Sequence, residues 1–357
     1  MLIENDVLSL DKTKRAVDAY LDNYLEKQLT HATAIDPSYA HLLATIREYI
    51  AGGGKRLRPY LFTIANHGYG GDFSDDNNAT ACAWELLHTA LLVHDDIIDR
   101  DDVRHGSPNI AGRYQDLYKT YSHKDSEHYA MSSALLAGDL LISMSQKIVL
   151  SSGLSADKKL SILELLNLAI FDVGGGELID TETALKSTDS TDARKIARFK
   201  TASYTFELPL VSGALLADAD PSELELLQKL GNKLGIAFQI IDDVLGVFGA
   251  SVATGKSVDS DIYERKHTVL VQEAYKLLSG QERDELVEFY SLDTKLSESD
   301  VERVRQILSE SGAKDAVMEE ARQLTNEAES LIKQLHINDL AKNTLSQLVE
   351  ILLKRNA

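Results

Sequence analysis

Cysteine is nearly absent from this chain of 357 residues, in which Cys82 is the single one. One cysteine excludes an internal disulfide and is typical of a reducing compartment. The chain also lacks an uninterrupted apolar run of about 18 residues, the length that a transmembrane helix needs. Its first residues, Met1 to Asp6, do not show the basic-then-apolar order of a signal peptide. Together these absences predict a cytoplasmic protein without a transmembrane segment.

Basic residues are in deficit, since 37 Lys and Arg stand against 56 Asp and Glu and the formal net charge is −19. Broad nucleic-acid binding requires a basic surface, so we expect no nucleic-acid partner. A chain of this charge repels phosphate groups as well. Any phosphorylated substrate must therefore be held by local Lys and Arg side chains or by a bound metal ion.

Proline is scarce, with five in the chain, and no run alternates apolar and polar residues between tight turns as strands do. Helical periodicity instead extends from end to end. The clearest stretches are Val17 to Gln28, Ala81 to Ile98, Ala134 to Val149, Lys159 to Val173, Leu224 to Phe248 and Val301 to Leu335. No linker or repeat divides the chain. The pattern predicts a single all-α domain over residues 1–357, in which residues 281–357 form conventional helices with polar faces.

Two Asp-rich segments stand inside apolar helical stretches, Asp95-Asp96-Ile97-Ile98-Asp99 and Asp242-Asp243. Asp95 and Asp99 are four positions apart, so a helix places them on one face, one turn from each other. Carboxylates against apolar neighbours repel each other and are costly to desolvate, and a divalent cation removes both penalties. Oxygen ligands without His or Cys favour Mg²⁺, which shares its coordination with substrate phosphates. The two segments predict a metal-assisted enzyme that acts on a phosphorylated substrate.

A basic, glycine-rich segment, Gly52-Gly53-Gly54-Lys55-Arg56-Leu57-Arg58-Pro59, precedes the first acidic segment. Glycine permits close approach of the backbone, and Lys55 and Arg58, three positions apart, can share a helix face. Exposed amides beside two cations form an anion site. The residue order of a Walker loop is absent, and a flexible basic loop is the alternative interpretation.

Further cations and a histidine lie near the acidic segments in sequence. His88 is two helical turns before the first segment, and Arg104 follows that segment closely. Lys200 stands in an apolar helix, where an unpaired lysine is rare. After the second segment the chain supplies Lys256 and Lys266. Each has an ordinary alternative, as a core histidine, a solvent-facing lysine or a plain loop cation, but their number around two acidic segments favours a phosphate-binding cleft.

The ordered set of motifs resembles the trans-isoprenyl diphosphate synthases, or polyprenyl synthetases. Gly-Gly-Lys-Arg-Leu-Arg-Pro is followed by Asp-Asp-x-x-Asp, Arg-x-Gly-x-Pro, Lys-Thr, Phe-Gln-x-x-Asp-Asp and Lys-x-Thr, in the order of that family, within residues 50–270. The resemblance implies a homodimer with an isoprenoid-synthase-type helical bundle around a deep central cavity. It also implies condensation of isopentenyl diphosphate with an allylic diphosphate (dimethylallyl, geranyl or farnesyl) by Mg-assisted ionisation, with release of pyrophosphate.

The resemblance assigns roles to single residues as well. The ligands of as many as three Mg²⁺ ions, bridged to the allylic diphosphate, would be Asp95, Asp99 and Asp242, with Asp96 and Asp243 in support. The direct cationic contacts of that diphosphate would be Arg104, Lys200, Lys256 and Lys266. The oxygen dipoles facing the carbocation would come from Thr201 and Gln239. The isopentenyl diphosphate site would comprise Lys55, Arg58 and His88, and His105 is a further substrate-binding candidate.

Two positions depart from the family pattern. The family has Arg-Arg-Gly where this chain has Arg104-His105-Gly106, so the charge at residue 105 depends on pH near neutrality. We expect weaker or more pH-dependent binding of isopentenyl diphosphate. The second acidic motif of the family ends in a third Asp, whereas Gly246 stands here, which would remove one direct or water-mediated metal contact.

Three other functions share part of the pattern. A class I terpene cyclase has the all-α fold and the first acidic motif, but it carries Asn, Ser and Glu in its second motif and needs no second basic substrate site. A silent subunit of a heteromeric synthase would have lost acidic or basic site residues, which this chain keeps. A structural acidic scaffold would not bury carboxylates twice beside cationic loops. The sequence favours the synthase.

Product length can be argued from the helix that carries Asp95, because each turn of ~5.4 Å is roughly one isoprene unit. The residues before Asp95 that could limit the length of the product are Ala90, Leu91, Leu87 and Trp84. Farnesyl synthases of the family usually have an aromatic floor at the level of Ala90 or Leu91, and this level is open here. We predict a product of C20 or longer, with Leu87, Trp84 or a facing helix as the stop, and C15 is the alternative.

Ala90→Phe is expected to shorten the product to C15 or less, because the ring would close the path of the growing chain. Chromatography of the dephosphorylated products measures the length. An unchanged product distribution from a folded Ala90→Phe variant would contradict this hypothesis.

Overall fold

The structure, a computed structural model, describes residues 8–104, 106–121, 124–183, 192–249, 260–291 and 296–354. Nearly all secondary structure within these ranges is helical, which confirms the all-α fold. The chain divides into two compact units. The first comprises Met1–Asn167, Pro209–Ala219 and Ile337–Ala341, and the second comprises Leu168–Leu208, Asp220–His336 and Lys342–Ala357. The interpretation of residues 1–357 as a single domain stays a prediction.

The N-terminal half of the chain forms long helices. They are α1 (Leu10–Thr33), α2 (Pro37–Ala51), α3 (Leu57–Gly68), α4 (Asp75–Ile98), α5 (Ile110–Lys119), α6 (Ser126–Leu150) and α7 (Ala156–Thr183). Between α4 and α5 lies an antiparallel pair of two-residue strands, β1 (Val103–Arg104) and β2 (Ser107–Pro108). Strands this short leave no period-two pattern, so the sequence did not indicate them.

The remaining helices begin with α8 (Ala193–Ile196), which continues directly into a π-helix, π1 (Ala197–Glu207). The others are α9 (Leu208–Leu216), α10 (Pro221–Phe248), α11 (Ser260–Tyr263), α12 (Val269–Leu277), α13 (Gly280–Ser291), α14 (Glu298–Glu310), α15 (Ala313–Gln334) and α16 (Asp339–Lys354). The helical stretch that the sequence predicts from Val301 to Leu335 is interrupted at Gly312, whose φ of 77° lies in the left-handed region that glycine adopts readily.

Helix α4 forms the centre of the first unit and packs on α1, α3, α5 and α6. Ser74 caps its N-terminus, because the Ser74 hydroxyl accepts a hydrogen bond from the Asn77 amide. The helix is buried over most of its length, and Trp84, which is fully buried, donates its indole N–H to the Ser212 hydroxyl at 2.8 Å. The first acidic segment therefore lies at the C-terminal end of a core helix.

Helix α6 is long and apolar enough to cross a membrane by length and composition. Half of its most apolar 18-residue stretch is buried inside the structure, where α6 packs against α4 and α5. Packing on two neighbouring helices accounts for the apolar composition, as it does for core helices of globular proteins. Among the described residues, no other helix passes the same test.

Helix π1 lies close against its neighbours in the second unit because glycines face it. A Cβ on Gly235 of α10 would lie 2.4 Å from the Ala202 Cα, and a Cβ on Gly176 of α7 would lie 2.5 Å from the Lys200 amide nitrogen. Real Cβ atoms do not approach backbone atoms this closely, so only glycine permits these crossings. π-Helical turns are rare in proteins, and those that occur often lie at functional sites. Helix π1 carries Lys200 and Thr201, two of the predicted site residues.

Gly235→Ala is expected to lower the free energy of unfolding by about 1–3 kcal/mol, because the new methyl group overpacks against π1. In a helix without such a neighbour, the same change would stabilise the protein by up to about 1 kcal/mol. A loss of stability therefore identifies the close contact between α10 and π1. Chemical denaturation measures it. Gln228→Ala, at an exposed position of α10, is the control and should change the value by less than about 0.5 kcal/mol. A Gly235→Ala variant at least as stable as the wild type would contradict this account.

Candidate functional site

The first acidic segment has the one-turn geometry that its spacing predicts. Asp99 is the C-cap residue of α4, and its amide donates to the Asp95 carbonyl oxygen at 2.8 Å. The two side chains therefore follow each other on one helix face. Asp96 is different, because its side chain is 3% exposed whereas that of Asp95 is 18% exposed. The middle carboxylate of the segment is inside the protein.

Arg104 of β1 holds the buried carboxylate. Its Nε donates to Asp96 Oδ1 at 2.7 Å and its Nη2 donates to Asp95 Oδ2 at 3.1 Å. Burial raises the pKa of Asp96, and the guanidinium of Arg104 offsets part of this increase. The Tyr49 hydroxyl donates to the second oxygen of Asp96 at 3.4 Å. Both oxygens of Asp96 are thus engaged by protein groups.

Arg56 anchors the glycine-rich segment. Its guanidinium donates to Asp18 of α1 at 2.8 Å, to Glu85 of α4 at 2.8 Å and to the Ile50 carbonyl oxygen at 2.7 Å. The Arg56 side chain is 4% exposed. Burial alone would lower its pKa, but the carboxylates of Glu85 and Asp18 outweigh burial and raise it. Arg56 has a φ of 53°, so these contacts hold a left-handed conformation that is unfavourable for arginine.

A cavity in the first unit lies beside this segment. It is lined by the end of α2, the glycines Gly52, Gly53 and Gly54, one face of α4 that includes His88, the strand pair with Arg104, and Arg113 of α5. The predicted cations Lys55 and Arg58 are not among its lining residues. Lys55 is exposed and Arg58 is buried. The structure therefore brings His88 and Arg104 together with the glycines, and leaves the other two cations outside the cavity wall.

The predicted chain-length residues belong to the core. Ala90, Leu87 and Trp84 are fully buried, and Leu91 is partly buried. Trp84 is fixed by its hydrogen bond to Ser212. An aromatic side chain already stands in this helix, about three turns before Asp95.

In the second unit Lys200 is paired with two carboxylates of α7. Its Nζ lies 2.7 Å from Asp180 Oδ2 and 2.9 Å from Glu177 Oε2. The Lys200 side chain is 20% exposed. The close approach of Gly176 to the Lys200 backbone brings both acids within reach of the ammonium group. This lysine is therefore paired, as a lysine in an apolar helix requires.

A chain of hydrogen bonds connects Thr201 with the second acidic segment. The Thr201 hydroxyl donates to Gln239 Oε1 at 2.7 Å, and Gln239 Nε2 donates to Asp243 Oδ1 at 2.8 Å. The second oxygen of Asp243 accepts from the Val269 amide at 2.9 Å. Burial raises the pKa of Asp243 well above its usual value, and the two donors oppose this shift only in part. Like Asp96, Asp243 is buried with both oxygens engaged, whereas Asp242 is partly exposed.

The last predicted residues follow α10. A Cβ on Gly246 would lie 2.7 Å from Asp261 Oδ2, so the carboxylate of Asp261 takes the space next to the position where the family carries a third Asp. The ammonium group of Lys266 lies 2.8 Å from Glu264 Oε2. The predicted residues His105 and Lys256 lie outside the described residues.

The donor set of each acidic segment suits a magnesium ion. Asp95 and Asp99 offer carboxylate oxygens one turn apart on one face, and Asp242 is the partly exposed acid of the second segment. Asp96 and Asp243 use their oxygens internally. Hard oxygen ligands of this kind suit Mg²⁺ better than softer metals.

Sequence reasoning missed several residues of these sites. Glu177 and Asp180 are three positions apart on a helix, and this spacing was a usable signal for the partners of Lys200. Arg56 gave no such signal, because its partners Asp18 and Glu85 come from two other helices. Nothing in the sequence singled out Arg113 of the cavity wall.

The sequence profile of the polyprenyl synthetase family matches residues 40–309. A geranylgeranyl diphosphate synthase of Sulfolobus acidocaldarius is 32% identical over 74% of this chain and 78% of its own length. A farnesyl diphosphate synthase of Bacillus subtilis is 32% identical over 71% of this chain and 80% of its own. The crystal structure of a geranylgeranyl pyrophosphate synthase from Corynebacterium glutamicum, complexed with isoprenyl diphosphate and magnesium, has a TM-score of 0.90 and 29% identity, covering 98% of this chain and 100% of that one.

Arg56→Met is expected to lower the free energy of unfolding by about 3–5 kcal/mol, because it leaves the buried carboxylate of Glu85 without its cation. Arg47→Met is the matched control, since Arg47 pairs with exposed acids of α1 and should cost less than about 1 kcal/mol. Denaturant titration of both variants gives the comparison. Equal effects of the two changes would show that Arg56 does not anchor the segment.

Proposed function

We propose that this chain, which belongs to the polyprenyl synthetase family and is a trans-prenyltransferase, condenses isopentenyl diphosphate with an allylic diphosphate to a product of C20 or longer. The observation that carries the site assignment is the shared construction of the two acidic segments. In each segment, the second Asp is buried and accepts hydrogen bonds from protein groups. Asp96 accepts from Arg104, and Asp243 accepts from Gln239 and the Val269 amide. The first Asp of each segment is more exposed.

Asp95, Asp99 and Asp242 are proposed as the Mg²⁺ ligands, for as many as three ions. Asp96 and Asp243 are proposed as supports, because their burial fixes the backbone from which the ligands extend. When bound, Mg²⁺ stabilises the negative charge that develops on the departing diphosphate.

Lys200 and Arg104 are proposed to contact the allylic diphosphate together with Lys256 and Lys266. Negative charge on the leaving group grows as the allylic bond breaks, so fixed cations stabilise the transition state more than the ground state. Lys200 is held by Glu177 and Asp180, which orient its ammonium group and limit its motion. Arg104 is oriented in the same way by Asp95 and Asp96.

Thr201 and Gln239 are proposed to face the allylic carbocation with oxygen dipoles, together with the carbonyl oxygen of Lys200. Their hydrogen bond of 2.7 Å fixes the orientation of both side chains before the charge develops, which is what electrostatic preorganisation requires. No protein nucleophile is needed, because the double bond of isopentenyl diphosphate attacks and released pyrophosphate is the proposed base.

The isopentenyl diphosphate site is proposed at the cavity of the first unit. Its glycines permit close approach of the backbone, and His88 and Arg104 line the same wall. Lys55 and Arg58 adjoin it in sequence and are proposed as its further cations, with His105. A site that combines an accessible glycine backbone with cationic side chains is suited to bind a diphosphate anion.

A geranylgeranyl and a farnesyl synthase are equally identical to this chain, so the proposed product length rests on the helix that carries Asp95. The helix itself supports C20. Ala90 leaves the level of the usual aromatic floor open, and Trp84 lies about three turns before Asp95. Three turns and the unit at the diphosphate correspond to about four isoprene units, at roughly one unit per turn.

A homodimer is proposed on the basis of exposed apolar side chains. On α6 they are Met131, Leu135 and Leu136, and on α7 Phe171 is 80% exposed and Leu178 is 60% exposed. Apolar residues that cluster on an exposed helix face mark association surfaces, and two-fold dimers are the commonest oligomers. Sedimentation of the protein as a monomer at micromolar concentration would contradict this proposal. A cytoplasmic location stays a prediction.

Incubation of the purified chain with Mg²⁺, labelled isopentenyl diphosphate and dimethylallyl, geranyl or farnesyl diphosphate is expected to give elongation with each primer, ending at C20 or beyond. Chelation of the metal should abolish it. Asp242→Asn should lower kcat at least about a hundredfold, whereas Asp284→Asn, the same change at an exposed position of α13, should lower it less than about twofold.

Absence of condensation with all three primers would refute the proposed reaction. Termination at C15 would keep the reaction and refute the product length. Full activity of Asp242→Asn would refute the role of the second acidic segment.

A further inference from the structure

We propose that Arg113 binds the diphosphate of isopentenyl diphosphate, an inference that rests on the proposed function and adds a residue to that site. Arg113 lies in the first turns of α5 and lines the cavity of the first unit with the glycines, His88 and Arg104. No motif of the sequence includes it. The arginine that binds the substrate must be able to release its present partner to an incoming anion.

The other two arginines of the cavity wall are held by buried acids. Arg56 is 4% exposed and donates to Glu85, whose side chain is also 4% exposed. Arg104 is 10% exposed and holds Asp96, which is 3% exposed. Withdrawing either guanidinium would leave a buried carboxylate without a cation, which is strongly unfavourable. These two arginines can add a contact to a ligand but cannot leave their acids.

Arg113 has a partner that it can exchange. Its side chain is 33% exposed, and its Nη1 lies 2.6 Å from Oε2 of Glu48, which is 69% exposed. An ion pair with a solvent-exposed acid contributes little to stability, so opening the pair and returning Glu48 to water costs little. A diphosphate presents several charged oxygens to the guanidinium fork and forms stronger, bidentate hydrogen bonds. Exchange of Glu48 for the substrate is therefore favourable.

The position of Arg113 is fixed by the chain that follows the first acidic segment. Asn109, which is fully buried, caps α5 by accepting from the Gly112 amide at 2.9 Å, and its own amide donates to the Asp102 carbonyl oxygen at 3.0 Å. A Cβ on Gly112 would lie 2.3 Å from that same oxygen. The Nε of Arg113 donates to the Pro108 carbonyl oxygen at 3.1 Å. The guanidinium is thus presented at the cavity wall before any ligand arrives.

The test compares Arg113→Gln with Lys119→Gln in the full chain. Lys119 lies on the same helix, outside the cavity wall, and pairs with Asp116 at 3.6 Å, so both changes remove one positive charge from α5. Isothermal titration calorimetry with isopentenyl diphosphate and steady-state kinetics provide the readouts. Arg113→Gln should raise the Kd and the KM for isopentenyl diphosphate about tenfold and change the KM for the allylic primer less than about twofold. Lys119→Gln should change none of them beyond about twofold.

Two further variants sharpen the comparison. Arg113→Lys should recover part of the affinity, since it keeps the charge and loses the fork. Glu48→Gln should lower the Kd for isopentenyl diphosphate, because the competing carboxylate is gone. Thermal unfolding of each variant identifies any loss of fold, which a partly exposed side chain paired with an exposed acid should not cause.

Equal effects of Arg113→Gln and Lys119→Gln, or an equal rise in the KM for both substrates, would overturn the assignment of Arg113. These outcomes differ from failure of the proposed function, in which the wild-type chain neither binds isopentenyl diphosphate in the calorimeter nor condenses it, and the assignment then falls with that function. A wild type that condenses, with a selective loss in Arg113→Gln, supports both.

Discussion

The constraint on which the structure depends is the burial of negative charge in apolar helices. Asp96 and Asp243 each lie inside the protein next to another acid in the sequence, and each would be costly to desolvate alone. Different hydrogen-bond donors offset the desolvation of these two carboxylates. Asp96 receives a guanidinium and a tyrosine hydroxyl, so its charge is balanced, whereas Asp243 receives an amide side chain and a backbone amide, which carry no net charge. Asp96 is therefore paired with a cation, whereas Asp243 is held by neutral donors.

This difference organises the elements around each segment. The strand pair exists where Arg104 must reach back to α4, and two short strands are enough to reverse the chain. The second segment depends instead on close backbone packing, with Gly235 on α10 allowing π1 to bring Thr201 to Gln239. The lysine of π1 then takes its balancing acids from α7 through the approach at Gly176. In both units the ionisable groups are placed by backbone geometry before they interact.

Sequence patterns were sufficient for the fold class and for the acidic spacing, because both follow from helical periodicity alone. The interruption at Gly312 was missed, since the apolar repeat continues through it and only the left-handed φ ends the helix. The partners of Arg56 could not be predicted, because Asp18 and Glu85 meet it only after three helices have packed. Lys55 and Arg58 show the same limit. Their spacing indicated a shared face, whereas the segment starts α3 and leaves one exposed and the other buried.

The π-helix has a consequence for how this chain can change in evolution. An α-helix advances by about 100° per residue, and a π-helix fits extra residues into the same turns. Loss of one residue from residues 197–207 would restore α geometry with little rotation of the helix beyond it, but the side chains within the segment would change which of α7 and α10 they face. Surface loops accept insertions and deletions readily. This segment should instead keep its length among functional descendants even where its side chains vary.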